Sequence, residues 1–361
     1  MSLSLEDVVL RVEGRTHVHP TRLELAVGGF NILLGPTLAG KTTLMRLMAG
    51  LLRPTDGRIR FGGQDVTGVP VRRRGVAMVY QQFINYGHLS VFENIASPLR
   101  VARVGEAEAR ARVGKIAELL RLTPFLERRP SELSGGQQQR TALARALVKE
   151  AGLVLLDEPL ANLDYKLREE LRDELPRLFA GRDCTVVYAT TEPAEALLLG
   201  GHTATVHEGR VTQFGPTGEV YRRPADLTTA RAFSDPPINT AQVVKRAGSM
   251  ELGTLVAWPA EGALAALPDG PYTFGLCPHH VLPGGADGGP PGAVPVAGKV
   301  SIAEISGSDS VVHFALDGGT WVSQAPGIRR HAVGEMAGFR LDVARGLYFD
   351  GQGRCVHAGG A

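Results

Sequence analysis

Cysteine, net charge and long apolar runs are all scarce in this chain of 361 residues, and each scarcity excludes a class of protein. The three cysteines, Cys184, Cys277 and Cys355, form no C-x-x-C spacing, which argues against a disulfide framework and a structural zinc and favours a reducing compartment. With 39 basic and 37 acidic residues the net charge is +2, so no electrostatic argument points to nucleic acid as a partner. No apolar run approaches the roughly 18 residues that span a bilayer, and the first residues do not resemble a secretory signal. We therefore expect any membrane role to come through a partner.

The segment GPTLAGKT, at positions 35–42, fits the pattern G-x-x-x-x-G-K-[ST], in which backbone N–H groups surround nucleotide phosphates. A buried-strand pattern precedes it and apolar residues at helical spacing follow it, which is the context that the motif requires. Lys41 is expected to reach the β- and γ-phosphates, and Thr42 to offer its hydroxyl to Mg²⁺. We predict that the chain binds ATP or a close relative through Gly35, Pro36, Thr37, Leu38, Ala39, Gly40, Lys41, Thr42 and Thr43.

The chain contains two regions that differ in their pattern of apolar and turn-forming residues. Up to about position 235, short Val/Ile/Leu-rich runs alternate with longer helical patterns, which predicts an α/β fold with a largely parallel, buried sheet. From about position 243, short strand-like pieces between Gly/Pro-rich turns predict a small all-β, barrel-like domain, with a loop at 282–298. We expect the first domain to comprise residues 1–235 and the second to comprise 236–361.

An apolar run at 153–156 ends in two carboxylates, Asp157 and Glu158. Such a pair can hold Mg²⁺ through Asp157 while Glu158 acts as the general base toward water. The same pair could also simply cap the following turn.

A second anion site is predicted upstream of these carboxylates. Ser134, Gly135, Gly136 and Gln137 directly precede a helical pattern, so their backbone N–H groups are expected at a helix N-terminus. A single nucleotide does not need two such sites. We therefore expect each site to serve a nucleotide shared between two subunits packed head to tail.

With these motifs the chain resembles the ATP-binding cassette (ABC) ATPases. The elements that carry the resemblance stand in the family's order: GPTLAGKT, VYQQ with Gln81, LSGGQQQR, LVLLDEP and ANLD at 161–164. The segments at 209–215 and 220–224 are similar to the importer subfamily that energises carbohydrate and polyol uptake. The resemblance implies a P-loop NTPase (ABC ATPase) domain, a C-terminal β-barrel regulatory domain of the OB-like, TOBE type, and ATP hydrolysis coupled to transport.

The resemblance also implies cofactors and partners. Two such subunits would sandwich two ATP molecules, with Mg²⁺ held by Thr42, Gln81 and Asp157. Glu158, Gln81 and Thr191 stand at the catalytic positions. The closing motion would pass to two transmembrane permease subunits, and indirectly to a periplasmic solute-binding protein, so the chain would lie peripherally on the cytoplasmic face of the bacterial inner membrane.

The segment 81–94 (QQFINYGHLSVFEN) is expected to contact these membrane subunits. Its residues Phe83, Ile84, Tyr86 and His88 offer an apolar and aromatic docking surface, and polar residues between them break any strand or helix period. The alternative is that these aromatic residues belong to the core.

The chain departs from the family at the end of a predicted strand. Most members have a His there, in a T-H-D context, whereas this chain has Thr191 followed by Glu192. A Thr hydroxyl reaches less far and carries no charge, and loss of one transition-state donor commonly costs about 3 kcal/mol. Either the site formed by this chain's own phosphate loop is slow, or another group rescues it; we favour the first.

A second departure concerns the adenine base. Family members usually stack the base on an aromatic residue ahead of the phosphate loop, but no aromatic residue precedes Phe30 here. His17 or His19 could stack instead, or both could be ordinary loop residues. Leu38 also stands where small residues are usual and narrows the loop.

A combination of four segments resembles one of the two non-identical ATPase subunits of bacterial glycerol ABC importers: GPTLAGKTTLMRLMAGLLRPT, VAMVYQQFINY, LANLDYKLREEL and VYATTEPAEALLLGG. A non-identical second ATPase subunit would then carry the missing His, and residues 134–137 of this chain would complete its site. The predicted function is the ATP-binding subunit of an importer for a small polyol or sugar, in particular glycerol. The alternatives are a homodimeric sugar-importer ATPase and a regulatory or scaffold module that binds ATP with little turnover.

Overall fold

The protein is described by a computed structural model that covers residues 2–80, 84–161, 163–284 and 290–359. It divides into two compact units, Met1–Thr217 and Gly218–Ala361. Each unit has its own hydrophobic core. Within the described ranges, no helix combines the length and apolar character needed to cross a bilayer.

The first unit contains six helices and ten strands among its described residues. The helices are α1 (Lys41–Ala49), α2 (Val91–Val101), α3 (Glu106–Leu119), α4 (Gly135–Leu147), α5 (Tyr165–Phe179) and α6 (Pro193–Leu199). The strands are β1 (Leu3–Val12), β2 (Arg15–Leu25), β3 (Phe30–Leu34), β4 (Asp56–Phe61), β5 (Gln64–Asp65), β6 (Val76–Val79), β7 (Leu153–Asp157), β8 (Thr185–Thr190), β9 (His202–His207) and β10 (Arg210–Pro216).

A six-stranded sheet in the order β10-β9-β3-β8-β7-β6 organises the first unit. Its pairs are parallel except for β9 with β10. Every residue of β3, β7 and β8 is buried, as expected for parallel strands with both faces covered. The carboxyl ends of these strands lie at one edge, which brings together the loops that follow β3, β7 and β8. This arrangement confirms the predicted α/β fold.

A four-stranded antiparallel sheet in the order β2-β1-β4-β5 was not part of the predicted fold. Its strands are half-buried: in β2 the buried residues Thr21, Leu23 and Leu25 alternate with exposed ones. The sheet packs its apolar face onto the same core as α1.

The second unit is mostly β-structure. Its helices are α7 (Thr217–Arg222), which begins at the division between the units, and α8 (Leu227–Ala232). Its strands are β11 (Asn239–Arg246), β12 (Ser249–Leu252), β13 (Val256–Pro259), β14 (Gly270–Leu276), β15 (Val281–Pro283), β16 (Val294–Ser306), β17 (Asp309–Leu316), β18 (Gly319–Pro326), β19 (Met336–Leu341), β20 (Leu347–Phe349) and β21 (Cys355–Ala358).

These strands form two antiparallel sheets, β13-β12-β11-β14-β20-β21 and β15-β19-β16-β17-β18. Their inner faces share an aromatic core in which Phe274 packs against Trp258, Trp321 and Tyr348. The indole N–H of Trp258 donates to the Tyr348 hydroxyl at 2.9 Å, so the buried polar atoms of both rings are satisfied. The all-β, barrel-like C-terminal domain is thereby confirmed.

The predicted loop at 282–298 is wrong at both ends. Strand β15 extends to Pro283, and β16 begins at Val294, where it pairs with Leu341 of β19. Glycine and proline dominate the composition of this segment, which is why the sequence predicts a loop. In the structure β16 nevertheless pairs with β19 from its first residue, Val294. Residues 285–289 lie outside the described ranges.

Candidate active site

The phosphate loop between β3 and α1 is shaped by two glycines at which a larger residue would clash or strain the backbone. A Cβ on Gly35 would lie 2.1 Å from the carbonyl oxygen of Val206, closer than real contacts allow. Gly40 has φ +107°, in the left-handed region, and a Cβ there would lie 3.2 Å from Gly209. The N–H of Gly209 in turn donates to the Ala39 carbonyl at 2.7 Å. The turn between β9 and β10 therefore supports the loop from outside.

Lys41 opens helix α1 and is 4% exposed. Its ammonium donates to the carbonyl oxygens of Gly35 at 2.7 Å and Pro36 at 3.0 Å, and lies 3.5 Å from Glu158 Oε1. Burial lowers the pKa of Lys41, while the Glu158 carboxylate acts in the opposite sense. The charged ammonium group of Lys41 thus lies across the phosphate loop.

Asp157 ends strand β7 and is 1% exposed. Burial raises the pKa of its carboxyl group, and the nearby Thr42 hydroxyl acts to lower it. Neither carboxylate oxygen has a partner of normal hydrogen-bond geometry within the described part of the chain. Two buried, unpaired carboxylate oxygens beside a hydroxyl are hard ligands that fit Mg²⁺.

Glu158 follows directly and adopts a strained backbone conformation. Its φ of +48° lies in the left-handed region, which non-glycine residues rarely occupy. The Glu158 N–H donates to the Ala189 carbonyl of β8 at 3.0 Å, which fixes this turn. The turn directs the carboxylate toward Lys41 at the phosphate loop.

A cavity of about 470 Å³ lies over the loop. This volume falls within the range of small-molecule sites. Its lining combines the predicted residues Thr37, Leu38, Ala39, Gly40, Lys41, Thr42, Thr43 and Glu158 with the residues Thr16, His17, Glu208 and Gly209.

Three of these lining residues, Thr16, Glu208 and Gly209, were not considered in the sequence analysis, whereas His17 was considered as a residue that could stack on the adenine base. Thr16 and His17 come from β2, and Glu208 and Gly209 form the turn of the β9–β10 hairpin, with φ +46° and +73°. The sequence signal for the turn is a Glu-Gly pair between two strand patterns. His17 lines the cavity, whereas His19 is not among its lining residues.

The second predicted anion site begins helix α4. Ser134 is the N-cap: its hydroxyl accepts from the Gln137 N–H at 3.4 Å, and its own N–H donates to Gln137 Oε1 at 3.0 Å. Gln139, one turn further, donates to the Pro159 carbonyl at 2.7 Å. The helix is therefore tied to the loop that follows Glu158.

Gly135 and Gly136 contrast with the glycines of the phosphate loop. Neither has a positive φ, and a Cβ on either would meet nothing within 4 Å. None of the residues 134–137 is among those that line the cavity over the phosphate loop. The fold of this chain therefore does not require these glycines, and their open surface is available for close approach by another molecule.

Thr191 is exposed and follows β8, but it is not among the lining residues of the cavity. Its neighbour Glu192 accepts from Arg168 at 3.1 Å and from Arg172 at 3.4 Å. Arg168 also donates to the carbonyls of Ala161 and Leu163, both at 3.3 Å. The segment after β8 is thus bound to the loop that leads into α5.

Some predicted residues fall outside the described ranges. These are Gln81, with the docking residue Phe83, and Asn162. The structure describes the rest of the docking segment from Ile84 onward.

Comparison with known proteins agrees with this geometry. The ABC transporter family profile matches residues 18–161. The sn-glycerol-3-phosphate import ATP-binding protein UgpC of Pectobacterium atrosepticum is 33% identical over 353 residues, covering 97% of this chain and 98% of that protein. The trehalose/maltose import ATP-binding protein MalK of Thermococcus litoralis is 38% identical, covering 85% of this chain and 86% of that protein. A solved dimeric ATP-binding cassette in a post-hydrolysis state, bound to ADP and Pi, is 27% identical with a TM-score of 0.55, covering 60% of this chain and 98% of that one.

A phosphate loop after a buried parallel strand, with a carboxylate pair on a nearby strand, defines a P-loop ATPase. Helix α4, which begins with two glycines and is capped by Ser134, narrows the class further. The chain belongs to the ABC transporter ATP-binding family, within the group of sugar and polyol importer ATPases, and it is an ATP hydrolase of that family.

Proposed function

We propose that this chain energises a membrane importer for a small polyol or sugar, glycerol in particular, in an asymmetric pair with a second, non-identical ATPase subunit. One observation supports the pairing above all: the open glycine surface at Gly135 and Gly136, which this chain's own fold does not need. In the proposed pair this surface closes over the nucleotide held by the partner's phosphate loop. The partner closes over the nucleotide held by Lys41.

Each residue of this chain's own site has a distinct task in the proposed mechanism. Lys41 and the loop N–H groups hold the β- and γ-phosphates. Asp157 and Thr42 hold Mg²⁺, with Gln81 assigned to the same shell by its sequence position. Glu158 accepts a proton from the attacking water. Mg²⁺, when bound, neutralises charge on the phosphates.

Thr191 makes this site the weaker of the two. Two arginines of the described chain, Arg168 and Arg172, lie near the end of β8, and both are bound to Glu192. Arg172 is in addition 10% exposed and lies 2.5 Å from Glu169. Neither arginine is placed to take over the charge that a His would supply, which supports a slow site over a rescued one.

The docking segment supports contact with membrane subunits. Ile84 is 56% exposed and Tyr86 is 45% exposed. Their backbone is nevertheless fixed, because the Asn94 side chain accepts from the Tyr86 N–H at 2.8 Å and donates to its carbonyl at 3.0 Å. Arg145 donates to the Ile84 carbonyl and lies over the Tyr86 ring. Apolar side chains held outward on a rigid backbone suit a docking surface and not a core.

The solute and the location follow from relatives, not from this chain's own contacts. UgpC and MalK are named for the import of sn-glycerol-3-phosphate and of trehalose/maltose, which supports the sugar and polyol class. The specific assignment to glycerol depends on the resemblance of four sequence segments. We infer two permease subunits, an indirect solute-binding protein and a peripheral position on the cytoplasmic face of the inner membrane.

Co-purification from membranes tests this proposal. Tagged chain is isolated from detergent-solubilised membranes, and we expect two polytopic proteins and one second ATPase to accompany it. Ile84→Asp should release the polytopic proteins, whereas Val27→Asp, at a site of similar exposure (49%) ahead of β3, should retain them. Both variants should still bind ATP. If the only ATPase that co-purifies is a further copy of this chain, the asymmetric pair is contradicted. If both variants lose the polytopic proteins, the docking surface is contradicted.

A further inference from the structure

A thiol and two imidazoles cluster in the second unit, at the turn between β14 and β15. Cys277, His279 and His280 occupy four consecutive positions with Pro278, directly after the last residue of β14. The Cys277 sulfur and one nitrogen from each histidine all lie within 4.8 Å of one another. The two imidazole rings are adjacent, with centroids 4.2 Å apart. Sulfur and imidazole nitrogen are the donors that Zn²⁺ prefers in proteins.

The backbone holds this cluster in place. The turn is flanked by Leu276 and Val281, both fully buried. The His280 N–H donates to the Cys277 carbonyl at 2.9 Å, and the His280 carbonyl accepts from the Asp342 N–H at 3.0 Å. Because the ligands stand on an ordered turn, binding an ion does not require a flexible loop to become ordered.

His280 gives a second, independent indication. Its Nδ1 is buried and has no hydrogen-bond partner in the described part of the second unit. Buried polar atoms are normally paired, so an unpaired ring nitrogen beside a thiol needs an explanation.

We propose that Cys277, His279 and His280 bind one Zn²⁺ ion through the sulfur and one nitrogen of each ring, with water as the fourth ligand. Zn–S and Zn–N bonds of about 2.3 and 2.0 Å place tetrahedral ligand atoms about 3.3–3.6 Å apart. The ligand atoms, at most 4.8 Å apart, therefore need to approach one another by no more than about 1.5 Å when the ion binds. Cys277 gives up its thiol proton to solvent when the Zn–S bond forms. Cys277 is not part of a C-x-x-C pair, so cysteine spacing alone does not indicate this site.

Metal binding by the full-length, reduced protein tests the proposal. After treatment with a chelator, the protein is titrated with Zn²⁺ against a chromophoric competitor, with Mg²⁺ in large excess. We expect one Zn²⁺ per chain at micromolar or tighter affinity. Titration with Co²⁺ should produce a thiolate-to-cobalt charge-transfer band in the near ultraviolet, because Co²⁺ substitutes for Zn²⁺ at sulfur-containing sites.

Variants assign the ligands. Cys277→Ser should abolish the cobalt band and weaken Zn²⁺ binding at least tenfold, and His279→Gln, at an exposed position, should weaken it similarly without lowering the melting temperature. Cys355→Ser is the matched control, since Cys355 is also half-buried, and it should leave binding unchanged. If no ion binds under these conditions, if the band survives Cys277→Ser, if His279→Gln leaves Zn²⁺ affinity unchanged, or if Cys355→Ser removes the band as well, the proposed site is wrong.

Discussion

Lys41 and Glu158 face each other across 3.5 Å on either side of the phosphate loop, and their opposite charges have different tasks. In the proposed mechanism the lysine would bind the ground state of ATP, whereas the glutamate would act on water only during hydrolysis. Substitution of each residue should therefore change a different measured quantity.

Lys41→Ala should weaken ATP binding by 10-fold or more, because charge-assisted hydrogen bonds contribute about 1.5–3 kcal/mol each. Calorimetric titration of the isolated chain measures this. Lys149→Ala is a suitable control, since Lys149 is also a partly buried lysine bonded to a backbone carbonyl, that of Val76, but does not line the nucleotide cavity. Unchanged nucleotide affinity in Lys41→Ala would refute the assignment.

Glu158→Gln should preserve ATP binding and reduce the chain's own hydrolysis by about 10²- to 10⁴-fold, the range for loss of a general base. In the pair with the second ATPase subunit, the closed, ATP-bound form should accumulate, and gel filtration measures it. Glu208→Gln, an exposed carboxylate on the same cavity, should hydrolyse ATP at the parent rate. If Glu158→Gln also keeps the parent rate, Glu158 is not the base.

At the scale of elements, the glycines of the phosphate loop and of the α4 N-terminus have opposite structural requirements. A Cβ on Gly35 would overlap the Val206 carbonyl, whereas a Cβ on Gly135 would enter open space. The first glycine is needed by this chain's fold, whereas the second is assigned to contact with another molecule in the proposed pair.

Gly35→Ala should lower the free energy of unfolding by about 1–3 kcal/mol or more, because backbone atoms must move to accommodate the methyl group. Gly135→Ala should leave stability unchanged within about 0.5 kcal/mol, since alanine also suits the first turn of a helix. Thermal unfolding of both variants measures the difference, and ATPase activity of the assembled complex should nevertheless fall in Gly135→Ala. Equal destabilisation by the two substitutions would contradict the distinction.

The sequence predicted the elements that carry motifs because their patterns are local. The strand at 30–34 and the strand ending at Asp157 are continuous apolar runs, and each lies where it was predicted. Helix α4 begins at Gly135, three residues before the predicted helical run at 138, because the Ser134 side chain caps it. Long-range features were beyond the sequence: the sheet formed by β1, β2, β4 and β5, the Gly209 support of the loop and the strained φ of Glu158 all depend on distant contacts.

The domain boundary shows the same limit. Paired prolines at 236–237 predict a boundary at 235/236, and no helix or strand of the structure crosses 233–238. The compact units divide at Thr217, because α7 and α8 pack with the second unit. The domain boundary at 235/236 therefore stays a prediction.

At the scale of the whole molecule, each nucleotide of the proposed pair is shared between two non-identical subunits. In that arrangement Thr191 limits the site built on this chain's Lys41, and Ser134 completes the fast site of the partner. The phosphate loop with Lys41 and the second anion site with Ser134 are therefore expected to contribute unequally to ATP turnover.

Thr191→His should raise the slow ATPase rate of the isolated chain by at least 10-fold, since a positioned transition-state donor contributes about 10²- to 10³-fold. Thr191→Ala is the matched control and should give no increase. Steady-state phosphate release at high protein concentration measures both. No gain with His, or an equal gain with Ala, would show that Thr191 does not limit this site.

The steady-state ATPase rate of the reconstituted complex tests the central claim most directly, with Ser134→Arg and Lys41→Ala introduced separately into this chain. Ser134→Arg should abolish most of the turnover, because it places bulk and a misplaced charge at the partner's γ-phosphate, whereas Lys41→Ala should cost much less. Equal losses from the two variants, or rapid hydrolysis by this chain alone, would contradict the asymmetric pair and favour two equivalent sites.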